Sequence, residues 1–354
     1  MSRIVEPGSP QCPIIPNNPK RRFFMSKTRL LCFALGIVLV LNGCASKQQA
    51  PIPPQQQAMT ADAYLGRWDA TIKTENGEYP SWFEISKEAT EFKGRFVGRE
   101  GSARPIARIV ASADQLDFSL PKQYEKRPDD LVFKGKAVDS RLEGTTVGDG
   151  GQTLSWSAVV APTMERNVTP EWGEPVKLFN GRDLTGWKAR HPEHNGWRVT
   201  GGILVNKIPS SDLITEQKFD DFKLHVDVNV PKNGNSGIYL RGRYEVQVED
   251  ILGSGESTGG LHLDNVHMAG IYGFLAPTVN AAKRAGEWQA YDITLVGRKV
   301  TVVLNGKTVI DNQEIPGITG GALDSNEGTS GPIFLQGDHT NISYRNIVIV
   351  PAKK

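Results

Sequence analysis

The stretch Phe222–Val230, with sequence FKLHVDVNV, constrains the fold of this chain more than any other. Its apolar side chains occupy every second position, so all of them lie on one face of an extended strand. No stretch of ten residues shows a clear helical period, whereas 37 Gly and 22 Pro supply frequent turns. We therefore predict an all-β protein built from short strands.

The strand pattern falls into two groups. Residues 62–161 contain about eight short strand candidates, which predict a small accessory domain, either an up-and-down β-barrel or a two-sheet sandwich. Residues 176–351 contain about a dozen more, which predict two packed antiparallel sheets in a jelly-roll sandwich. Residues 162–175 carry three prolines with charges between them and are predicted to be the linker.

The first 43 residues are predicted to be a targeting segment. Lys27 and Arg29 precede the apolar run Leu30–Leu41, which at 12 residues is too short for a typical spanning helix. The following Leu41-Asn42-Gly43-Cys44 resembles a bacterial lipoprotein signal, which implies that Cys44 is lipidated and becomes the mature N-terminus. Residues 44–61 then form a tether. An uncleaved anchor is the alternative, and Met25 is a second possible translation start.

These features indicate a location in the cell envelope, anchored to a membrane by lipid, at the outer membrane or facing the periplasm. Without residues 1–43, the chain has 35 basic and 38 acidic side chains, a balance that gives no indication of a nucleic-acid partner. Cys12 and Cys32 lie in the removed segment. The mature chain then has no thiol for disulfides, thiolate catalysis or Cys-ligated metal.

A polar strand stands out within Asn235–Asp250. Two β-rich runs flank Arg241-Gly242-Arg243, which predicts a tight hairpin. In the second run, the alternation places one set of residues, Tyr244, Val246 and Val248, on one face and the other set, Glu245, Gln247 and Glu249, on the opposite face. Acid, amide and acid on a rigid strand are a good platform for a site, although an ordinary solvent-exposed strand face would show the same spacing.

Seven phrases in register resemble one family. They are LFNGRDLTGW, NSGIYLRGRYEVQVED, GIYG, AGEWQAYDITLVG, VVLNG, GPIFLQGDH and YRNIVI. Their order and spacing are similar to those of the 3-keto-disaccharide hydrolase family, over residues 176–350. The resemblance implies a concanavalin-like jelly-roll sandwich and cleavage of glycosidic bonds in sugars that carry a ketone at C3.

A ketone at C3 would make the C2 hydrogen acidic. A base could remove that proton, and the enolate could expel the C1 substituent by β-elimination, with net hydrolysis after hydration. Such chemistry needs a base near C2, a group that stabilises the enolate oxygen and an acid for the leaving oxygen. It needs no redox cofactor, because a separate sugar 3-dehydrogenase would supply the oxidised sugar substrate.

Candidate catalytic residues follow from the matched phrases. Glu245 is the predicted base, His339 the predicted proton-transfer residue, since His titrates near neutrality, and Arg241 the predicted clamp for the enolate or a hydroxyl. Each has a plainer interpretation: a solvated strand acid, a turn histidine and a charge at a hairpin tip. Further candidates for substrate binding are Gln247, Asp250, Tyr272, Glu287, Trp288, Gln336 and His262.

No metal site is predicted, because the histidines lack zinc-ligand spacing and calcium-loop patterns are absent. A cation bridging Glu245, Asp250 and His339 stays open. The main rival to an enzyme is a non-catalytic, lectin-like carbohydrate-binding lipoprotein, and a cell-surface assembly protein is a third alternative.

Overall fold

The structure, a computed structural model, describes residues 60–250 and 264–353. The predicted signal peptide, Cys44, nearly all of the tether and His262 lie outside these residues. Within the described ranges, no helix has the length and apolar character needed to cross a membrane. The prediction of an all-β chain is confirmed: apart from two single-turn 3-10 helices, Ala61–Tyr64 and Pro192–His194, every regular element described is a strand.

One antiparallel sheet contains the first nine strands. In chain order they are β1 (Gly66–Thr74), β2 (Gly77–Glu88), β3 (Glu91–Val97), β4 (Arg104–Pro105), β5 (Arg108–Ala111), β6 (Leu116–Leu120), β7 (Leu131–Val138), β8 (Arg141–Val147) and β9 (Thr153–Val160). The strand order is β4-β3-β2-β1-β9-β8-β7-β6-β5.

This sheet closes on itself into a barrel, so of the two architectures predicted for this part the barrel is observed. The segment Arg104–Ala111 pairs with β3 at its start and with β6 at its end, and Ile106 donates to the Gly94 carbonyl at 2.9 Å between them. Alternate residues of each strand point inward. Aromatic rings fill the interior, including Phe118 and Phe133, which stack with ring centroids 4.8 Å apart.

Two further sheets form a sandwich. The larger one contains β10 (Val176–Lys177), β12 (Trp197–Thr200), β13 (Ile203–Asn206), β15 (Phe222–Asn229), β18 (Trp288–Val296), β19 (Lys299–Leu304), β20 (Lys307–Glu314) and β22 (Ile342–Pro351). The smaller one contains β11 (Trp187–Ala189), β14 (Leu213–Phe219), β16 (Asn235–Leu240), β17 (Tyr244–Glu249) and β21 (Gly331–Leu335), in the order β11-β14-β21-β16-β17.

The alternation in the sequence explains how these sheets pack. Leu224, Val226 and Val228 of β15 are almost fully buried, and they share one hydrophobic core with Val246 and Val248 of β17. The predicted hairpin between β16 and β17 is confirmed, with Leu240 opposite Tyr244. Because the core lies on one face of the smaller sheet, the side chains at the alternate positions lie on its other face.

Residues of β1 and β2 are among those through which the barrel contacts the sandwich. Trp82 of β2 is buried within the sandwich core, Arg67 pairs with Glu314, and the hydroxyls of Thr71 and Ser325 lie 3.1 Å apart. The predicted linker also packs on the sandwich, where Nε of Arg166 contacts Asp221 at 2.8 Å.

A buried charge cluster lies at this interface. Glu327 is fully buried and accepts hydrogen bonds from Arg298, at 3.1 and 3.2 Å, and from the Tyr244 hydroxyl, at 2.7 Å. Burial, together with the neighbouring Glu327 carboxylate, raises the pKa of Asp69 to about 9. Asp69 on the barrel is therefore protonated at neutral pH, and Glu327 carries the negative charge that Arg298 balances.

Candidate active site

The outward face of the smaller sheet, which we call the polar face, holds the predicted constellation. Register across β17, β16 and β21 places Glu245 opposite Tyr239, and Tyr239 opposite Phe334. The adjacent row contains Gln247 opposite Gly237, and Gly237 accepts a hydrogen bond from the Gln336 backbone at 3.0 Å. The hairpin and one neighbouring strand thus bring these side chains together on one rigid surface.

Glu245 lies on β17, the last strand of the smaller sheet, and is only 4% exposed. Burial raises the pKa of its carboxyl group to about 8; the Tyr239 hydroxyl and His339 oppose the shift, whereas Asp338 and Asp212 add to it. The Glu245 amide donates to the Thr319 hydroxyl at 3.0 Å, which fixes the backbone at this position. A carboxyl group with a pKa near neutrality can both accept and donate a proton under ordinary conditions.

His339 forms a pair with Asp338 at the edge of the same face. Its Nδ1 lies 2.5 Å from Oδ1 of Asp338. This hydrogen bond raises the pKa of His339 and lowers that of Asp338. His339 is therefore readily protonated, and its charge lies close enough to Glu245 to affect the carboxyl group.

Four buried oxygen atoms of residues on the polar face have no hydrogen-bond partner among the described residues. They are Oε1 of Gln247, Oε1 of Gln336, Oε2 of Glu249 and Oδ1 of Asn235. Register places Asn235 opposite Glu249, so these acceptors lie in neighbouring rows of the polar face. Buried acceptors normally have donors, and a ligand rich in hydroxyl groups would supply them.

Tyr272 borders the same group. Its backbone N–H donates to the Glu245 carbonyl at 3.0 Å. Burial raises the pKa of its hydroxyl well above the usual range, and Glu245 and Glu249 contribute to the shift. The hydroxyl therefore remains protonated and can act as a donor beside Glu245. Of the residues proposed from sequence, the structure brings together Glu245, Gln247, Tyr272, Gln336 and His339.

Arg241 does not join them, and this expectation from the sequence is corrected. Its side chain is fully buried, and its guanidinium donates to the Gly297 carbonyl at 2.7 Å and to the Tyr244 hydroxyl at 3.3 Å. Tyr244 lies on the core face of β17, opposite to Glu245. Arg241 therefore stabilises the hairpin from the core side and does not reach the polar face.

Asp250, Glu287 and Trp288 are also corrected. Asp250 is buried and accepts the Asn233 backbone N–H at 2.9 Å, which stabilises the turn before β16. Trp288 begins β18 of the larger sheet and stacks under the Arg345 guanidinium, 4.0 Å from its ring centroid. Glu287 is exposed next to it. None of the three lies on the polar face of the smaller sheet.

Hairpin register could have revealed two of the residues that sequence reasoning missed. With Leu240 opposite Tyr244, counting along the hairpin places Tyr239 beside Glu245 and Asn235 beside Glu249. Asp212 and Asp338 carried no such signal, because Asp212 lies just before β14 and Asp338 in the loop after β21. Within residues 60–250 and 264–353, no group of three or more His, Cys, Asp or Glu is arranged to hold a metal ion.

Gly237 is required by the position of Glu245. A methyl group at residue 237 would lie 2.2 Å from Oε1 of Glu245. We expect Gly237→Ala to displace the carboxylate and to lower kcat/KM by about 10- to 100-fold, since small misplacements of a reacting group are costly. Gly328→Ala is the control, because the added methyl group would make only an ordinary contact there, 3.5 Å from Cγ of Pro162. Unchanged steady-state kinetics in Gly237→Ala would contradict the role of this position.

The family model of the 3-keto-alpha-glucoside-1,2-lyase-like domain matches residues 174–350, half of the chain. This chain belongs to that family. The match covers the sandwich and includes Glu245, Tyr272 and His339, but not the barrel. The resemblance predicted over residues 176–350 is confirmed, and membership places the chain among carbohydrate-active proteins.

Solved structures offer further comparisons. A candidate glycosyl hydrolase from Parabacteroides distasonis is 30% identical over 53% of this chain and 93% of its own, with a TM-score of 0.43. A second from the same organism is 20% identical over 51% and 94%, with a TM-score of 0.40. SCLam, a non-specific endo-beta-1,3(4)-glucanase, is 14% identical over 55% and 96%, with a TM-score of 0.32. No curated protein matches the chain.

Proposed function

We propose that the sandwich cleaves glycosides whose sugar carries a ketone at C3, by removal of the C2 proton and β-elimination of the C1 substituent. The observation that carries the proposal is the buried Glu245, with a pKa of about 8, on a face with four acceptor oxygens that have no partner among the described residues. The family is described as a 3-keto-alpha-glucoside-1,2-lyase-like domain, and elimination across C1 and C2 is the reaction that this arrangement supports.

Glu245 is the proposed base. The C2 hydrogen of a 3-keto sugar is acidic only because the resulting carbanion is delocalised onto the ketone oxygen. A carboxylate with a pKa of about 8 is a stronger base than an ordinary one, and about a tenth of it is ionised at pH 7. Burial, which raises that pKa, also keeps water from competing for the proton.

His339 is the proposed stabiliser of the enolate. The ionic hydrogen bond with Asp338 favours the imidazolium form, and a positive charge close to the enolate oxygen lowers the barrier to proton removal. This role replaces the one expected of Arg241. Gln247 and Gln336 would hold the sugar by accepting its hydroxyl protons, and the Tyr272 hydroxyl would donate to the departing C1 oxygen.

Glu245 takes the C2 proton, and the electrons of the C2–H bond form the enolate. When the enolate reverts to the ketone, the C1–C2 double bond forms and the bond from C1 to the leaving oxygen breaks. The first product is an unsaturated 3-keto sugar and a free alcohol. Addition of water across the new double bond then gives net hydrolysis. The direct test offers a 3-keto disaccharide to the purified protein and identifies the product as a 3-keto glucal, a 3-keto sugar or neither.

A lectin-like protein would bind such sugars without turnover. The same acceptors would serve binding, but binding alone gives no reason to bury an acid with a raised pKa. Binding of the 3-keto disaccharide by calorimetry, with no product after prolonged incubation, would support the lectin. A separate sugar 3-dehydrogenase would supply the substrate, and lipidation at Cys44 would hold the protein in the cell envelope where the two act.

The pH dependence follows from the same groups. We expect kcat/KM to rise with pH through about 8, because Glu245 must lose its proton to act as the base. His339→Gln removes a positive charge that lowers the pKa of Glu245, so this limb of the profile should move to higher pH, with a lower maximum. A pH–rate profile of both proteins checks this. An unchanged limb would show that His339 does not affect the pKa of Glu245.

A further inference from the structure

The barrel approaches the candidate active site at one point, next to Tyr272. A methyl group at the neighbouring Gly273 would lie 2.5 Å from the backbone nitrogen of Ala103, which belongs to the barrel loop between β3 and β4. The Arg99 carbonyl of that loop accepts the Gly321 N–H at 2.9 Å. A methyl group at Gly321 would lie 2.5 Å from the Tyr239 hydroxyl. The barrel loop thus contacts the sandwich backbone at Gly273 and at Gly321.

A second barrel loop, between β6 and β7, carries Tyr124 to the same place. The side chain of Tyr124 packs against Gly101, where an added methyl group would lie 2.9 Å from its Cδ2. A methyl group at Gly273, the residue after Tyr272, would lie 2.8 Å from Cα of Ser102, and the Gln123 side chain donates to the Ser102 hydroxyl. The loop that carries Tyr124 therefore lies beside Tyr272. Burial chiefly, with Tyr124 adding to it, raises the pKa of Tyr272. Tyr124 is nevertheless 60% exposed, the most exposed aromatic residue among the large exposed hydrophobics of the described chain.

The loop that carries Tyr124 is held rigidly. Oε2 of Glu125 accepts the backbone N–H groups of Gln123, at 2.7 Å, and of Tyr124, at 3.1 Å. Arg104, itself largely buried, holds the Glu125 carboxylate. The Gln123 side chain donates to the Ser102 hydroxyl at 3.0 Å and so joins the two barrel loops. An exposed aromatic ring on a rigid backbone is typical of residues that bind a ligand.

We infer that Tyr124, with Gln123 and Ser102, forms the subsite for the leaving group, and that this subsite takes the second sugar ring of the substrate. The inference rests on the proposed function. If Glu245 removes the proton at C2, the leaving oxygen is attached to C1, the neighbouring ring carbon. Tyr272, whose backbone is bonded to Glu245 and whose hydroxyl neighbours Tyr124, marks the direction in which that oxygen departs. The apolar face of a sugar would stack on Tyr124, and its hydroxyls would meet Gln123 and Ser102.

The test compares two substrates that differ only in the leaving group, a 3-keto disaccharide and a methyl 3-keto-glucoside. For Tyr124→Ala we expect kcat/KM to fall about tenfold on the disaccharide and to change less than about twofold on the methyl glycoside, because only the disaccharide places a ring on Tyr124. Tyr124→Phe keeps the ring and should retain most of the disaccharide activity. Val168→Ala, at a residue that is 79% exposed, is the control for an unrelated surface change.

The outcomes separate this inference from the proposed function. Equal losses on both substrates, or no loss on either, would overturn the subsite and leave the activity standing. Failure of the wild-type protein to cleave either substrate would remove the proposed function and the subsite with it. Melting curves for each variant verify that the exposed substitutions leave the fold intact.

Discussion

Glu245→Gln should abolish turnover and at the same time stabilise the protein at alkaline pH. The amide cannot accept the C2 proton, so we expect kcat to fall by about 1,000-fold, within the range that a positioned general base contributes. Gln is nearly isosteric with Glu, so binding of the 3-keto sugar should weaken only slightly. Steady-state kinetics and calorimetry on the same preparation measure both effects.

The stability gain follows from linkage. The folded-state pKa of Glu245, about 8, lies above its ordinary value of 4.5 because burial disfavours the ionised form. The wild-type protein therefore loses stability as pH rises between these two values, whereas Glu245→Gln does not titrate. The difference in unfolding free energy should be small near pH 4.5 and grow to about 2–5 kcal/mol above pH 8.

Glu171→Gln is the matched control, since its side chain is 83% exposed and should show neither effect. Denaturant titrations at several pH values give the comparison. A Glu245→Gln protein that retained full activity would exclude Glu245 as the base. A stability difference that did not grow with pH would mean that Glu245 is ionised, and balanced, in the folded protein.

Arg298→Met should be the most destabilising of the substitutions considered. Glu327 is fully buried, and the substitution removes the two hydrogen bonds from Arg298 to its carboxylate. The carboxylate would then keep only uncharged partners among the described residues, the Tyr244 hydroxyl and the protonated Asp69. Loss of one member of a buried ion pair costs about 3–5 kcal/mol of unfolding free energy, which denaturant titration would measure.

The double variant Arg298→Met, Glu327→Gln provides the decisive comparison. With the buried charge removed as well, most of the lost stability should return. Arg141→Met is the control, because Arg141 pairs with Glu143 at the surface and should change stability by less than about 0.5 kcal/mol. Equal destabilisation in the single and double variants would show that the packing of Arg298, and not its charge, matters.

Alternation of side chains determined much of this protein from the sequence. Because successive strand residues face opposite ways, the sequence alone separates Val246 and Val248 from Glu245 and Gln247, and the structure places them in the core and on the polar face, respectively. The short Asn305-Gly306 hairpin follows from local turn chemistry in the same way, since both residues adopt positive φ. These features depend on neighbours along the chain.

Alternation did not predict the surroundings of residues at turns and strand ends. Arg241 sits at a hairpin tip, where alternation no longer says which way a side chain points, and the Gly297 carbonyl on another strand connection draws it to the core side. Trp288 alternates correctly within β18, but the sequence does not say that β18 belongs to the other sheet. The sheet to which a strand belongs is decided by long-range pairing.

The charge state of the site was also a matter of tertiary structure. The sequence places Glu245 on the polar side of its strand, but only packing of the surrounding segments buries it and raises its pKa. The loop of Tyr124 in the barrel lies beside Tyr272 of the sandwich, nearly 150 positions further along the chain. Strand periodicity is local and was legible in the sequence, whereas burial, electrostatics and the meeting of barrel and sandwich arise from contacts between distant segments, which the tertiary structure alone determines.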